Sequence, residues 1–152
     1  MRLSRRYANL DMFFPEAVRV LAPLGALIVY DFSQGSSFRD SPVLDAWFSR
    51  FLARYPMPRG SARDLSPETL GAAQSGLRLS GRESFQLGMV MAPDAYLSYV
   101  LTEANVAHAV RQGAAFHEIR RWCADTLASV FQGSAQEVLF SGYFAVMRPE
   151  KA

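Results

Sequence analysis

The sequence predicts a mixed α/β or α+β fold, with about three strands packed by about five helices. Three segments have the apolar patterns of strands, namely 25–31, 83–91 and 136–147. Between them, apolar residues recur every three or four positions, as in amphipathic helices that cover a sheet. The chain has 152 residues, about the size of one domain, so we expect residues 1–152 to form a single domain.

Composition and charge exclude several classes of partner. Basic and acidic residues nearly balance, 16 against 14, and no basic stripe is present, so we expect no nucleic-acid partner. The longest apolar run, 21–30, contains Pro23 and Gly25 and is far shorter than the ~20 residues of a membrane helix. Cys123 is the only cysteine, which excludes an intramolecular disulfide and fits a reducing compartment. We therefore expect a cytoplasmic protein with no membrane partner.

The first predicted helix, 11–22, leads directly into the first predicted strand. Its apolar residues recur at helical spacing, and Pro23 ends it. The run from Gly25 to Asp31 is apolar without alternation, which predicts a strand that is buried on both faces. Residues 32–42 are rich in Ser, Gly and Pro and predict a loop.

The remaining elements follow from the same periodicities. Helices are predicted over 42–55, from Ser66 onward, over 92–112 with an interruption near Thr102, and over 114–131. Residues 83–91 alternate, which predicts a strand with one apolar side, formed by Phe85, Leu87, Met89 and Met91. The last segment, 136–147, is apolar on both faces and predicts an interior strand.

Residues 13–31 read Phe-Phe-Pro-Glu-Ala-Val-Arg-Val-Leu-Ala-Pro-Leu-Gly-Ala-Leu-Ile-Val-Tyr-Asp. This stretch resembles the helix, turn and strand of class I S-adenosylmethionine-dependent methyltransferases, where a helix ends in Leu-x-Pro-Gly-Gly before the fifth strand. Residues 99–106, Tyr-Val-Leu-Thr-Glu-Ala-Asn-Val, are similar to the cap helices of the small-molecule, type 11-like branch. Residues 142–148, Gly-Tyr-Phe-Ala-Val-Met-Arg, are similar to the final strand of that branch. The resemblance extends over most of the chain.

The resemblance implies a partial Rossmann-like methyltransferase sheet, in which the terminal strand lies between the other two and antiparallel to both. It implies helical insertion or cap segments at 38–76 and 92–112. It also leaves the strand 25–31 at an open edge of the sheet. Because an exposed apolar edge strand invites pairing with another chain, we expect poor solubility or self-association through this strand.

The cofactor-binding half of the family has no counterpart in this sequence. Nothing matches the glycine-rich loop after the family's first strand or the acidic residue that ends its second. The glycines in the middle of the chain do not sit between a strand and a helix with Gly-x-Gly spacing; they are Gly35, Gly71, Gly76 and Gly81. The resemblance therefore implies a C-terminal half that does not bind S-adenosylmethionine, the cofactor of the intact family, and is inactive alone. Methyl transfer needs donor and acceptor held in line.

Five residues are candidate contacts to a small-molecule methyl acceptor, and they are Tyr30, Asp31, Phe32, Ser33 and Trp47. The resemblance implies such a role for the loop after strand 25–31 and for the helical insertion. Asp31 ends an apolar strand on the side where ligands bind to open α/β sheets, so it has the chemistry of an orienting group or base. Capping of the following turn is the favoured alternative for Asp31. Trp47 lies in a helical apolar stripe, which favours a core position.

No catalytic, cofactor-binding or metal-binding residue is predicted. His108 and His117 are not at ligand spacing, and no set of Asp, Glu or Cys joins them. Cys123 is predicted to pack inertly, and Thr102 with Asn105 predicts a helix cap. Two alternatives to a methyltransferase fragment stay open. One is an accessory subunit that completes a separately encoded cofactor half, and the other is a non-catalytic binding module that keeps the cap.

Overall fold

The computed structural model describes residues 10–58, 66–72 and 75–150, which form six helices and four strands. In chain order these are α1 (Leu10–Val20), β1 (Leu27–Phe32), β2 (Ser37–Phe38), α2 (Val43–Arg54), α3 (Pro67–Ala72), β3 (Leu77–Met91), α4 (Pro93–Val100), α5 (Ala104–Arg111), α6 (Phe116–Phe131) and β4 (Gln136–Pro149). The predicted mixed α/β class is confirmed. Two elements are additional to the three strands and five helices that were predicted. One is the two-residue strand β2. The other is α5, because the helix predicted over 92–112 is divided into α4 and α5 near Thr102.

The strands form an open antiparallel sheet in which β4 is the common partner. β1 and β2 both pair antiparallel with β4, and β3 pairs with β4 as well. Ser80 bonds to Val146, and the Phe85 ring lies against Gly142, so β3 also runs antiparallel to β4. The same part of β4 pairs with β1, which places β1 and β3 on opposite edges of it. The predicted central position of the terminal strand is confirmed.

The chain groups into two compact units, each with its own core. In unit 1 the described residues are 10–33, 66–72, 75–86 and 141–150. Its core lies on one face of β1 and β4 and is covered by apolar residues of α1 and α3. The buried members are Phe14, Val29, Leu70, Leu77, Ala145 and Met147.

The other face of β1 corrects the prediction of a strand that is buried on both faces. Ile28, Tyr30 and Phe32 alternate with the buried side and are 53%, 39% and 42% exposed. Across the strand pair, Ile28 lies beside Val146 and Tyr30 beside Phe144. The sequence of β1 has the apolar pattern of a strand that is buried on both faces. In the structure, the face with Val29 is buried and the face with Ile28, Tyr30 and Phe32 is half exposed.

Unit 2 comprises residues 34–58 and 87–140 and has a core rich in aromatic side chains. The helices α2, α4 and α6 pack together around it, and α5 packs on α6. Its fully buried aromatic residues are Trp47, Phe51, Tyr96 and Phe131. The apolar stripes that predicted α2 and α6 supply most of these contacts.

Both predicted insertion or cap segments contain helices. Segment 38–76 contains α2 and α3, and its residues 59–65 and 73–74 lie outside the described residues. Segment 92–112 contains α4 and α5. Their role as a cap over an acceptor stays a prediction. Within the described ranges, no helix combines the length and the apolar character that crossing a membrane requires.

Candidate functional site

Four of the five candidate acceptor residues, Tyr30 to Ser33, lie at the carboxyl end of β1, where Ser33 and Ser141 join the strand to β4 by hydrogen bonds. The Ser33 amide donates to the Ser141 carbonyl oxygen at 2.6 Å, and the Ser141 amide donates to Ser33 Oγ at 3.0 Å. Asp31 lies within β1, one residue before the strand ends, and pairs across the sheet with Tyr143. The backbone of the predicted site is therefore held by sheet hydrogen bonds up to Ser33.

Strand alternation divides the predicted residues between the two faces of the sheet. Tyr30 and Phe32 share the half-exposed face, because residues two apart in a strand point the same way. Asp31 lies between them in sequence and therefore points to the opposite face. The structure thus brings Tyr30 and Phe32 together and separates Asp31 from them. Their contact with an acceptor stays a prediction.

Trp47 is placed in the core of unit 2, the position that its helical stripe favours. Its side chain is fully buried, and its indole stacks on Phe51 at 5.2 Å and on Trp122 at 5.9 Å between ring centroids. The indole Nε1 donates to Thr126 Oγ1 at 2.8 Å. The polar atom of the buried ring is therefore satisfied inside the core.

Two tyrosines, Tyr96 and Tyr99, hold the loop after β1 by hydrogen bonds that the sequence did not predict. The Tyr96 hydroxyl donates to the Gly35 carbonyl oxygen at 2.6 Å, and the Gly35 amide donates to the Tyr99 hydroxyl at 3.3 Å. Gln34 Nε2 adds a bond of 2.5 Å to Glu103 Oε2. These contacts connect residues more than sixty positions apart and fix the path of the loop within unit 2.

Gly35 is required at this place because the loop lies against aromatic side chains. A Cβ atom at residue 35 would lie 2.5 Å from the Phe140 ring, which is too close for any side chain. The sequence feature that points to this contact is the spacing of Tyr96 and Tyr99, which lie three residues apart and therefore on one side of a predicted helix. That spacing indicates a shared face but does not say which loop the two hydroxyls reach.

The buried Tyr96 predicts a pH dependence of stability. Burial raises the pKa of its phenol, and the neighbouring Tyr99 and Glu103 raise that pKa further. A tyrosine of the unfolded chain ionises near pH 10, so above about pH 10 ionisation favours the unfolded state. We expect the free energy of unfolding to fall above that pH, and the fall to be smaller in Tyr96→Phe.

Chemical denaturation from roughly pH 8 to 11 measures this difference. The control variant is Tyr30→Phe, at a half-exposed position of β1. An equally steep fall in Tyr96→Phe and in the control would contradict the assignment to Tyr96.

An apolar groove of about 390 Å³ lies between α1 and β1 in unit 1. Among its described lining residues only Glu16 is charged, and that carboxylate is paired with Arg19 on the exposed side of α1. The lining residues are Phe13, Glu16, Ala17, Val20, Leu21, Ala26, Leu27 and Ile28. The groove therefore runs beside the edge of β1 and offers contacts to apolar groups.

The four glycines in the middle of the chain do not lie at a turn from a strand into a helix. Gly35 lies between two strands, Gly71 lies inside α3, Gly76 precedes β3, and Gly81 lies within β3. None of these positions is the turn from a strand into a helix that lets backbone amides approach a nucleotide.

Histidine and cysteine side chains do not assemble into a site within the described ranges. These residues contain no group of three or more His, Cys, Asp or Glu that could hold a metal ion. Cys123 is fully buried in α6, and burial raises the pKa of its thiol to about 11. Such a thiol is poorly nucleophilic at neutral pH, as expected of a packing residue.

The predicted cap formed by Thr102 and Asn105 is wrong. The residue that precedes α5 is Glu103, and Thr102 Oγ1 donates to the Tyr99 carbonyl oxygen at 2.7 Å. Asn105 is fully buried, and its Nδ2 donates to the Tyr55 carbonyl oxygen at 2.8 Å. Asn105 therefore ties α5 to the end of α2 instead of capping its own helix.

The chain is similar to a solved protein from Anaeromyxobacter dehalogenans that is described as a proposed type II methyltransferase. The TM-score is 0.68 and the sequence identity is 17%. The match covers 96% of this chain and 60% of that chain. No protein-family model matches the sequence, and no curated protein matches it. The likeness shows a methyltransferase-like fold, and the chain spans 60% of the length of that protein.

Proposed function

We propose that the chain is the acceptor-binding part of an S-adenosylmethionine-dependent methyltransferase that acts on a small molecule. The observation that carries this proposal is the fold likeness, which extends over 96% of the chain to a proposed methyltransferase. The resemblance of residues 13–31, 99–106 and 142–148 to the same class supports it independently. We also propose that the cofactor-binding part is formed by polypeptide outside these 152 residues.

Two features of the chain support an external cofactor-binding part. The chain corresponds to 60% of the matched protein, so the remainder of that protein has no counterpart here. The glycines of the described residues lie in loops between strands, inside elements or after helices, and not at a strand-to-helix turn. In open α/β sheets that turn is where backbone amides approach the cofactor.

The residues of this chain contribute positioning. Methyl transfer requires the acceptor atom to lie in line with the donor, and correct alignment accounts for much of the rate. In the proposal, Tyr30 and Phe32 offer an aromatic surface to the acceptor on the half-exposed face of β1. The hydrogen bonds of Tyr96 and Tyr99 to Gly35 hold the next segment of the loop.

Isothermal calorimetry with S-adenosylmethionine tests the proposal on the 152-residue chain. We expect no heat beyond dilution, because none of the described glycines lies at the strand-to-helix turn where backbone amides approach such a cofactor. Binding with a Kd below about 1 mM would contradict the external cofactor part.

The nucleotide sequence upstream of the gene decides between the remaining alternatives. A strand–Gly-x-Gly–helix pattern in the same reading frame supports one longer methyltransferase. The same pattern in a neighbouring gene supports an accessory subunit, and co-purification of the two products would confirm that form. A non-catalytic binding module is supported if neither arrangement is found and the chain binds a small molecule without methylating it.

A further inference from the structure

We infer that the chain forms a two-fold dimer through the outer edge of β3. The β3 dimer surface consists of Leu87, Gly88, Met89 and Val90, which all belong to unit 2. Its occupant is the same segment of a second copy, which runs antiparallel to it and extends the sheet. This inference concerns assembly and does not depend on the proposed function.

The backbone edge of β3 is open within the described part of the chain. β3 pairs with β4 on one side, and no other described strand pairs with it. Alternate amides and carbonyls of an edge strand point away from its own sheet, so they can bond to an added strand. β3 has 15 residues, whereas natural edge strands are often kept very short to prevent such pairing.

The side chains along this edge are apolar and exposed. Leu87 and Met89 share one face of the strand and are 52% and 47% exposed, and Val90 is 73% exposed on the other face. Residues 87–91 contain no charged residue and no proline. Charged side chains and proline are common devices that keep an edge strand unpaired. Their absence from this segment favours an edge that is covered.

Gly88, in the middle of the surface, lies beneath the ion pair of Arg39 and Glu137. The two side chains are joined by hydrogen bonds of 2.5 and 3.0 Å. A Cβ atom at residue 88 would collide with the Glu137 carboxylate, so the ion pair fills the space that a side chain would occupy. Because the two charges neutralise each other, the centre of the surface has no net charge.

A second copy complements this surface when the two-fold axis passes beside Gly88. Gly88 then lies opposite Gly88 of the second copy, and Leu87 lies opposite its Met89. The same symmetry places Met89 opposite Leu87 of the second copy. Apolar side chains therefore face each other across the new strand pair, where such contacts stabilise a sheet.

The ion pair favours this register over its neighbour. An axis beside Met89 would place Val90 opposite Gly88 of the second copy, on the face where Arg39 and Glu137 lie. Apolar methyl groups would then remove water from two charged groups, which costs free energy. An axis beside Gly88 avoids this contact.

A second copy is favoured over a foreign strand because one pairing satisfies two open edges at once. The contact is isologous, so the same residues are used on both copies and the assembly closes at two chains. A strand of another protein would need an uncharged apolar edge of its own to match residues 87–91.

Analytical ultracentrifugation of the 152-residue chain measures the assembly. We expect a reversible equilibrium between monomer and dimer with a Kd below about 100 μM. A chain that is monomeric at that concentration would overturn the proposal. Ile28→Lys, which places a charge on the apolar edge strand β1, should leave the dimer intact. Loss of the dimer in Ile28→Lys, or growth beyond two copies, would also overturn the proposal.

A pair of lysine substitutions tests the surface. Met89→Lys should raise the Kd of the dimer by at least about tenfold, because a charge would lie against Leu87 of the second copy. Val110→Lys, at a 40% exposed position of α5 in unit 2, is the matched control and should leave the Kd unchanged. Circular dichroism shows whether both variants are folded. An equal Kd for the two variants would overturn the proposal.

Disulfide formation between two variants tests the register. Residues opposite each other in an antiparallel pair have Cα atoms about 4.5–5.5 Å apart, a separation that a disulfide spans. An equimolar mixture of Leu87→Cys and Met89→Cys should therefore give at least about tenfold more linked dimer under mild oxidation than either variant alone. Within one variant the two new cysteines lie diagonally, about 7–8 Å apart. The native Cys123 is buried and does not compete.

The pattern of linkage decides between the registers. Preferential linkage in the mixture supports the axis beside Gly88. Linkage that is as efficient in Met89→Cys alone would place the axis beside Met89 and overturn the proposed pairing. Absence of linkage in all three samples would overturn the dimer surface itself.

Discussion

Replacement of Trp47 by alanine is expected to lower the free energy of unfolding by about 3–5 kcal/mol. Trp47 is fully buried, and its indole stacks on Phe51 and on Trp122, at 5.2 and 5.9 Å between ring centroids. Truncation removes the whole ring and leaves a cavity between α2 and α6, since packed helices close such a space only in part. Urea denaturation followed by circular dichroism measures the change.

Two further variants separate the contributions of the indole. Trp47→Phe keeps most of the apolar volume but loses the hydrogen bond to Thr126, with an expected cost of about 1–3 kcal/mol. Phe116→Ala, at a half-exposed position in the first turn of α6, is the control and should cost less than about 1 kcal/mol. A cost below about 1 kcal/mol for Trp47→Ala would contradict the core position and favour the acceptor role.

The Asn105→Asp variant is expected to lose about 3–5 kcal/mol of stability at neutral pH, although the two side chains have nearly the same shape. Asn105 is fully buried, and its Nδ2 donates to the Tyr55 carbonyl oxygen. An aspartate has no such donor when ionised. Its charge would lie in the core of unit 2, where Oδ1 of Asn105 has no hydrogen-bond partner among the described residues.

The loss in Asn105→Asp should depend on pH, and its sign follows from the burial. Burial raises the pKa of an introduced carboxyl above the ~3.9 of the unfolded chain, so the folded state prefers the protonated form. The deficit should therefore be smallest below about pH 4 and grow as the pH rises toward neutrality. Denaturation at about pH 4 and about pH 7 compares the two conditions.

Asn105→Leu is the matched control for this experiment, since it has similar volume and no charge. It loses the hydrogen bond to Tyr55 and should cost about 1–3 kcal/mol at either pH. A deficit of Asn105→Asp that does not change with pH would contradict a buried ionised carboxylate at this position.

Much of the fold follows from short-range patterns in the sequence. The apolar stripe of residues 42–55 predicts α2, and the structure has this helix over Val43–Arg54. The run at 25–31 predicts β1, observed over Leu27–Phe32, and the run at 136–147 predicts β4, observed over Gln136–Pro149. Such patterns are informative because the side-chain periods of helices and strands are set by backbone geometry alone.

The candidate site was only partly predictable. Tyr30, Asp31, Phe32 and Ser33 lie together in sequence, but alternation places Asp31 on the other face of the sheet from Tyr30 and Phe32. The tyrosines that hold the following loop were not identified, because Tyr96 and Gly35 are 61 residues apart. Asn105 was interpreted as a cap, whereas its partner is the Tyr55 carbonyl oxygen, 50 residues away.

The sequence by itself determined most of the helices and strands, and it showed which of their residues are apolar enough to favour burial. The tertiary structure decided which of those residues are covered within this chain. Val29 is buried against α1 and α3, whereas its neighbours Ile28 and Tyr30 remain half exposed. The physical reason is that the hydrophobic effect is non-directional. A periodic pattern therefore shows which side chains are stabilised by burial, but it does not show which surface buries them.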